Sequence, residues 1–434
     1  MTVRRTLMQA LGTASFKVLR QFDRLVGNGY SGMTPEEAVE DPYKEYKYFR
    51  EKSPVLRTHT NRGWYILGYE QVQAAFKDPR FSSDVRNNKF LTRMMRIAAD
   101  GAPLPLLEDP ALLNLDPPDH TRLRRLAQQG FLHKFIQSLE PKIESIVREC
   151  LDDYDPATGR YDVVTQLAEP LPAIVIAQLL GLPDEDLPRF HQLSNELLNL
   201  TAFSDGERLS IGANASNELN DYFKKVVTYK RENPGQDMIT LLIEAEEAGD
   251  RLTSQELYST CVLLLIAGHE TTTRLIGNGL YTLLQHPDQL EMLKQDAELL
   301  PNAIEEMLRY EPPVQVMPRF ARENFEFFGQ QLKKNQLLGL MIGSANRDPA
   351  MNRNPDTFDI NRKDISHVSF GHGIHLCLGL NLARLEAKVA FRLLLERFPD
   401  MTMAEQKLNW TPIPLVRGVD SLIIETNEAD LVAN

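Results

Sequence analysis

One run of ten residues combines a soft nucleophile with the backbone freedom to present it: Phe370-Gly371-His372-Gly373-Ile374-His375-Leu376-Cys377-Leu378-Gly379. A cysteine among glycines, with a basic residue two positions before it and a helical pattern directly after, suits a haem iron as thiolate ligand. Gly371 and Gly373 permit backbone conformations closed to other residues and let the chain approach a flat macrocycle. Cys377 precedes Leu380 to Ala387, a strong helix former. Free amides and the positive dipole end at that helix start would stabilise a thiolate and lower its pKa. Gly379 leaves room for those amides to point at sulfur, and His375 could donate a hydrogen bond to a haem propionate. An isolated cysteine beside a turn is more often a buried structural residue, but six specified positions within ten residues make that reading minor here.

A second constellation lies in a long helix predicted from about Ser254 to Gln285. Thr253 and Glu256 form a capping-box pattern at its start, and His286-Pro287 ends it, since the residue before proline avoids the helical region. At 1.5 Å per residue it would span about 48 Å. Its middle, Cys261 to Gly268, is apolar all round and should be buried, yet His269-Glu270-Thr271-Thr272-Thr273 follow inside that section. A buried carboxylate costs several kcal/mol unless paired or used. Threonine hydroxyls can bond back to the carbonyl one turn earlier and bend the helix, and Gly268 removes side-chain bulk. Two readings stay open at this point: a groove lined by a proton donor and a hydroxyl, or a polar patch at a helix–helix contact.

The first run resembles the cysteine-ligand signature of the cytochrome P-450 family, Phe-Gly-x-Gly-x-His-x-Cys-x-Gly, at every position. Ala267-Gly268-His269-Glu270-Thr271-Thr272 resembles that family's oxygen-binding groove, Ala/Gly-Gly-x-Asp/Glu-Thr-Thr/Ser. The resemblance implies Cys377 as the iron ligand, with Phe370, Gly371, Gly379 and Ala267 against the haem. It implies Thr271 as the alcohol that holds dioxygen and water, and Glu270 as the acid that relays protons. Heterolytic O–O cleavage needs two protons at the distal oxygen, which such a pair delivers, and the thiolate pushes electron density into the same bond. Other motifs follow in the family's order. Glu306-Met307-Leu308-Arg309 resembles its Glu-x-x-Arg, and Arg362, after Asn354-Pro355-Asp356-Thr357-Phe358, resembles the arginine completing that ion-pair network, a structural role. His120 and Arg124 share a helix face and resemble its propionate clamp. Arg319 and His367 resemble further basic partners. For each of these alone, a solvated charged face is the commoner meaning; as an ordered set they support one another. Arg122, Arg125 and Lys134 could form a basic patch on the thiolate side for an acidic ferredoxin, or an ordinary charged helix face.

The elements that must position these residues are mostly helical. Helical patterns cover 34 to 52, 68 to 77, 118 to 153, 163 to 180, 185 to 200, 208 to 232 and 236 to 248. Strand-like stretches are short: 55 to 58, 63 to 67, 325 to 328, 337 to 342 and a hairpin near 408 to 426. The expected fold is mainly α with small β-sheets, and by resemblance the cytochrome P-450 fold, with haem between the long central helix and the cysteine-loop helix. One catalytic domain is expected over 31–434, preceded by a basic amphipathic extension over 1–30. That extension carries Arg4, Arg5, Lys17 and Arg20 and no acid through residue 22. It reads as a helix packed on the body, a membrane-surface helix at residues 1–25, or a targeting segment.

The chain has 434 residues, 42% of them hydrophobic, and a formal net charge of -12, which argues against a general nucleic-acid binder. Three dispersed cysteines, Cys150, Cys261 and Cys377, fit a reducing compartment and exclude a cluster held by four cysteines. No run of about 18 apolar residues is present, so no transmembrane helix is expected. No Gly-x-Gly-x-x-Gly nucleotide loop is present either. NAD(P)H electrons must therefore arrive indirectly, through a separate ferredoxin and its reductase. The expectation is a cytoplasmic, monomeric haem-thiolate monooxygenase carrying haem b and using O2 as co-substrate. Its substrate is expected to be an apolar small molecule of the terpenoid, steroid or fatty-acid class. By resemblance the pocket would be lined by Leu264, Val314, Val316, Leu415 and Val416, with residues 85 to 110, where Arg93 and Arg96 could meet a carboxylate. The alternatives are a peroxide-using fatty-acid hydroxylase or decarboxylase on the same fold, or a non-catalytic haem-binding sensor.

Overall fold

The computed structural model describes residues 39–58, 63–98, 104–108, 111–199, 206–247, 253–411 and 415–426. The N-terminal extension, with its three readings, lies outside them.

The helix Ser254–Gln285 organises the molecule. Thr253 accepts the Glu256 amide at 3.1 Å while the Glu256 carboxylate accepts the Thr253 amide at 2.8 Å, so the capping box closes in both directions. The far end stops at His286, outside helical geometry, before Pro287 opens the next helix. Around this long helix pack Pro170–Leu180, Gly206–Glu232, Leu300–Tyr310 and the cysteine helix Leu380–Arg397. Their apolar faces form one large core that includes Leu265, Leu280, Leu283, Ala303, Val389 and Phe391. Each such fully buried large side chain stabilises the fold by about 1.5–3 kcal/mol.

Two expected helices are broken. The pattern over 118 to 153 divides into Asp119–Ala127, a short turn, His133–Ser138 and Glu140–Asp152. Leu132 is extended there (ψ 135°) and Pro141 sits in the first turn of the last piece, where its missing amide costs nothing. The pattern over 163 to 180 begins as a wide π-type turn at Val164–Ala168 and becomes α-helical from Pro170.

The strands are β1 (Val55–Arg57), β2 (Trp64–Ile66), β3 (Phe81–Ser82), β4 (Arg160–Asp162), β5 (Val316–Ala321), β6 (Phe325–Phe327), β7 (Gln330–Leu332), β8 (Leu337–Met341), β9 (Thr402–Met403) and β10 (Ile423–Glu425). One sheet has the order β1-β2-β8-β5-β3, with only β2 and β8 parallel; another has the order β4-β10-β9; β6 and β7 form a hairpin. Of the expected hairpin near 408 to 426, the described residues show a bridge between Trp410 and Val419 flanked by the bonds Thr411 to Gly418 and Asp420 to Asn409, while β10 pairs with β4 and β9. A mainly helical molecule with small sheets is the observed class.

Candidate active site

The cysteine loop is a set of tight turns. Gly371 and Gly373 adopt φ of +71° and +69°, the left-handed region that glycine enters without strain. Gly373 has a second constraint, since a Cβ there would lie 2.9 Å from the Phe76 carbonyl oxygen. The close approach it permits is to protein backbone. Gly379 is different: its φ is ordinary at -84° and its nearest obstacle would be Phe131 at 3.9 Å. Nothing in the described chain requires glycine at 379.

The Cys377 amide donates to the Phe370 carbonyl at 2.9 Å, fixing the loop's closure. Cys377 is open to solvent on one side and hemmed in by protein on the other. That crowding pushes its thiol pKa up, against the downward pull of the Gly379 and Leu380 amides and of Arg124 and Arg384. The amides expected at the helix start are therefore in place beside the sulfur.

Beside this loop four bases converge. His120 is buried, stacks on His375 at 4.1 Å between ring centroids, and has no hydrogen-bond partner on either ring nitrogen among the described residues. His375 Nε2 lies 3.0 Å from the Ser83 hydroxyl. Arg124 donates to the Leu376 carbonyl at 2.6 Å. Arg319, on β5, is 3% exposed; it donates to the Pro318 carbonyl at 2.9 Å and leaves Nη2 without a partner. Burial, then mutual repulsion, pushes His120 down to about 4 and His375 down to about 3. Burial lowers Arg319 to about 10, opposed only by Asp116. Asp116 is itself held by Ser82 at 2.5 Å and the Ser83 amide at 3.0 Å. A cleft of about 330 Å³ runs along His120, Thr121, Arg124, Arg125, Gln128, Gly373 and Ile374.

His367 is not in this cluster. Its Nε2 lies 3.0 Å from Glu305 and its Nδ1 accepts the Ser369 amide at 3.3 Å. Arg384 claims the same Glu305 at 2.6 and 2.8 Å, and these partners lower the Glu305 pKa to about 2 against its desolvation. Arg384 also stacks on the Phe370 ring at 4.6 Å. The propionate role expected for His367 is corrected accordingly: both its nitrogens are taken. Arg122 is likewise committed, bridging to Glu256 and so tying its helix to the start of the long helix, which removes it from the expected basic patch.

The ion-pair residues come together as expected. Glu306 and Arg309 are both at 0% exposure and pair at 2.7 and 2.8 Å; Arg362 reaches Glu306 at 3.1 and 3.2 Å. Arg309 and Arg362 spend their remaining donors on carbonyls of Asn346, Pro355, Thr357 and Asn354.

On the long helix, Thr271 donates to the Ala267 carbonyl at 2.9 Å, the back-bond expected of a helical threonine. Ala267 is exposed and Thr271 half-buried, so this face is open. Gly268 opens no groove: a Cβ there would meet Ile176 at 3.0 Å, so the missing side chain admits the neighbouring helix. Glu270 turns inward at 2% exposure. Burial raises its pKa against Arg274 and His191, and its Oε2 has no hydrogen-bond partner. Arg274 Nη2 lies 3.7 Å away, while its Nη1 reaches the surface residue Asp420 at 3.3 Å.

Of the expected pocket residues, Val314 and Val416 form a bridge and Leu415 accepts the Gln315 amide, so these three are brought together. Leu264 belongs to the main core. Val316 is corrected: it packs with Phe49, Leu67 and Met341, and strand alternation places Met317, not Val316, on the face of Arg319. Arg93 and Arg96 line a shallow cleft of about 360 Å³ with Arg86 and Lys89.

Glu386 was not anticipated. It lies fully buried on the cysteine helix, hydrogen-bonded to Thr272 of the long helix, and desolvation raises its pKa to about 8. The signal was an acid between Leu382 and Val389/Ala390, inside that helix's apolar stripe.

A family model described as Cytochrome P450 matches residues 40–416. A polyketide-biosynthesis cytochrome P-450 of Bacillus subtilis is 38% identical over 91% of this chain and 98% of its own length. Among solved structures, cytochrome P-450 BioI in complex with an acyl carrier protein ligated with hexadec-9Z-enoic acid superposes with a TM-score of 0.82 at 34% identity, covering 90% of this chain and 100% of that one. A cytochrome P-450 from Bacillus megaterium in complex with testosterone gives 0.83 at 35%, covering 91% and 100%. Further relatives are named as a monooxygenase and a hydroxylase.

Proposed function

The chain belongs to the cytochrome P-450 family, an oxidoreductase family of monooxygenases, and on that premise we propose that Cys377 ligates a haem whose propionates are held by His120, Arg124, Arg319 and His375. The observation that carries this is the shortage of anions among the described residues: four buried or half-buried bases, three unpartnered nitrogen atoms, and one carboxylate already engaged. Two propionates supply the missing charge and acceptors. The open side of Gly379 gives a flat group close approach, and Cys377 offers sulfur on its open face.

Bound haem supplies the oxygen chemistry, placing one atom of O2 in an apolar substrate and reducing the other to water. The chain's residues deliver protons and exclude water. Thr271, whose hydroxyl donates to the Ala267 carbonyl, keeps lone pairs free to accept from a water. Glu270, next to Thr271 in the long helix and with its pKa raised by burial, is the acid of the relay. Arg274 and Asp420 connect it toward the surface.

Electrons come from a separate ferredoxin and reductase fed by NAD(P)H. Arg125 and Lys134 supply positive charge on the thiolate side, where Leu132, Phe135, Ile374 and Leu376 are exposed apolar residues, the mixture a transient docking face uses. The substrate is an apolar acyl or steroid-sized molecule, supported by the complexes of the two structural neighbours with a fatty acyl carrier protein and with testosterone. Were the substrate a free fatty acid, Arg93 and Arg96 would meet its carboxylate.

The ferrous carbonyl spectrum tests the ligand: the thiolate-type Soret band is expected in the wild type and lost in Cys377→Ser. An imidazole-type band, or the same band in the variant, overturns the assignment. Thr271→Ala should consume NADH with at least tenfold less product and release peroxide; coupling as in the wild type would remove Thr271 from the relay.

A further inference from the structure

We propose that His191, His269 and Glu270 form a binding site for a divalent transition-metal ion of zinc's class, between the helix Leu187–Leu197 and the middle of the long helix. Their ligand atoms all lie within 4.8 Å of one another. His269 and Glu270 are each 2% exposed, and each holds a buried atom with no hydrogen-bond partner, Nε2 and Oε2. Unsatisfied polar atoms in a core are a standing cost, and His269 Nδ1 lies 3.6 Å from Glu270 Oε1, near enough for the two side chains to share a cation.

The donor chemistry selects the ion. Two imidazoles and one carboxylate, with a fourth position left to water, suit Zn2+ and its neighbours and are poor for calcium or magnesium. His191 provides the access route. Its ring lies 5.1 Å from that of His269, and its side chain is about one-third exposed (34%). Bonds of about 2.0–2.1 Å place tetrahedral donors roughly 3.4 Å apart, so the side chains must draw in by about an ångström. Among the described residues His191 is held by Asn195 at 3.3 Å and by Glu169 at 3.6 Å, contacts long enough to let the ring move. Glu169 adds negative charge beside the site. Arg274 opposes binding from 3.7 Å, but its guanidinium has the Val419 carbonyl at 2.8 Å and Asp420 at 3.3 Å to hold it outward. Affinity should fall below that of a closed four-ligand site.

A filled site occupies the Glu270 carboxylate. This consequence rests on the proton-delivery role proposed above: zinc should slow product formation and divert electrons to peroxide.

The test uses tag-free, haem-loaded protein treated with EDTA and then titrated with Zn2+ against a fluorescent chelator, with zinc-edge X-ray absorption on the product. One saturable equivalent is expected, with a nitrogen/oxygen shell containing imidazole. His191→Ala, whose haem spectrum should match wild type, should weaken binding at least tenfold. No saturable zinc, or a site that His191→Ala leaves unchanged, overturns the proposal. One equivalent bound at this site with turnover unaffected supports the metal site and overturns the Glu270 relay, so the two failures are separable.

Discussion

Glu306 and Arg319 are buried almost equally, at 0% and 3% exposure, yet their surroundings are opposite. Both oxygens of Glu306 are taken by Arg309 and Arg362, with the Asp359 amide adding a third donor at 3.0 Å. Arg309 and Arg362 are satisfied in turn by carbonyls of the segment 346 to 357. Arg319 has one bond, to the carbonyl of the residue before it, and a free Nη2 beside His120, which has none. A charged group whose every valence is met by the chain holds the chain together. A charged group left short in the same degree of burial is arranged for something that arrives. The first assembly is closed and structural; the second is open and proposed to bind.

The largest expected effect lies on the closed side. Glu306→Gln leaves two guanidiniums in a dry core without a counter-charge, a loss of about 3–5 kcal/mol, measurable as a lowered urea midpoint of the haem-loaded protein. A change under about 1 kcal/mol would mean that the network is no more than decoration and would break the contrast.

On the open side the expected loss is smaller and of another kind. Arg319→Leu removes a cation that the chain itself does not neutralise. The urea midpoint should hold within about 1 kcal/mol, while haem passes to a competing acceptor roughly tenfold to a hundredfold faster, as expected for losing charge-assisted bonds of about 1.5–3 kcal/mol. Lower stability with unchanged haem transfer would place Arg319 with Glu306 instead.

The residues on both sides were legible because their motifs are local. Glu306 and Arg309 are one helical turn apart, as are His120 and Arg124, and the cysteine loop is a single run. The capping box and His286-Pro287 set both ends of the long helix for the same reason. What the sequence hid is set by partners distant in the chain. The pairing of His367 with Glu305 rather than with the base cluster depends on a side chain 62 residues earlier. The face presented by Val316 depends on the register of β5 against β8, Val316 opposite Met341, and a one-residue difference in register changes which side chain faces the site. The break at Leu132 and the very short strands β3 and β9 carry too few residues for a periodic signal.

Glu386 gives the smallest and most diagnostic effect, since it belongs to neither assembly: a fully buried acid whose Oε2 has no hydrogen-bond partner and which no cation approaches among the described residues. Its carboxyl ionises near 4.5 in the unfolded chain but keeps its proton to about pH 8 in the fold. Between those values the unfolded state alone gives up the proton. The group therefore costs stability increasingly as pH rises from about 4.5, and the cost levels off above about 8. Glu386→Gln keeps the shape and an amide for Thr272 while removing the ionisation. At pH 5 the variant and wild type should unfold at nearly the same urea concentration. At pH 8 the variant should be more stable by about 1–3 kcal/mol. If the gap fails to widen with pH, Glu386 is already ionised and stabilised in the fold, and a buried charge here can be tolerated without a cation from the chain.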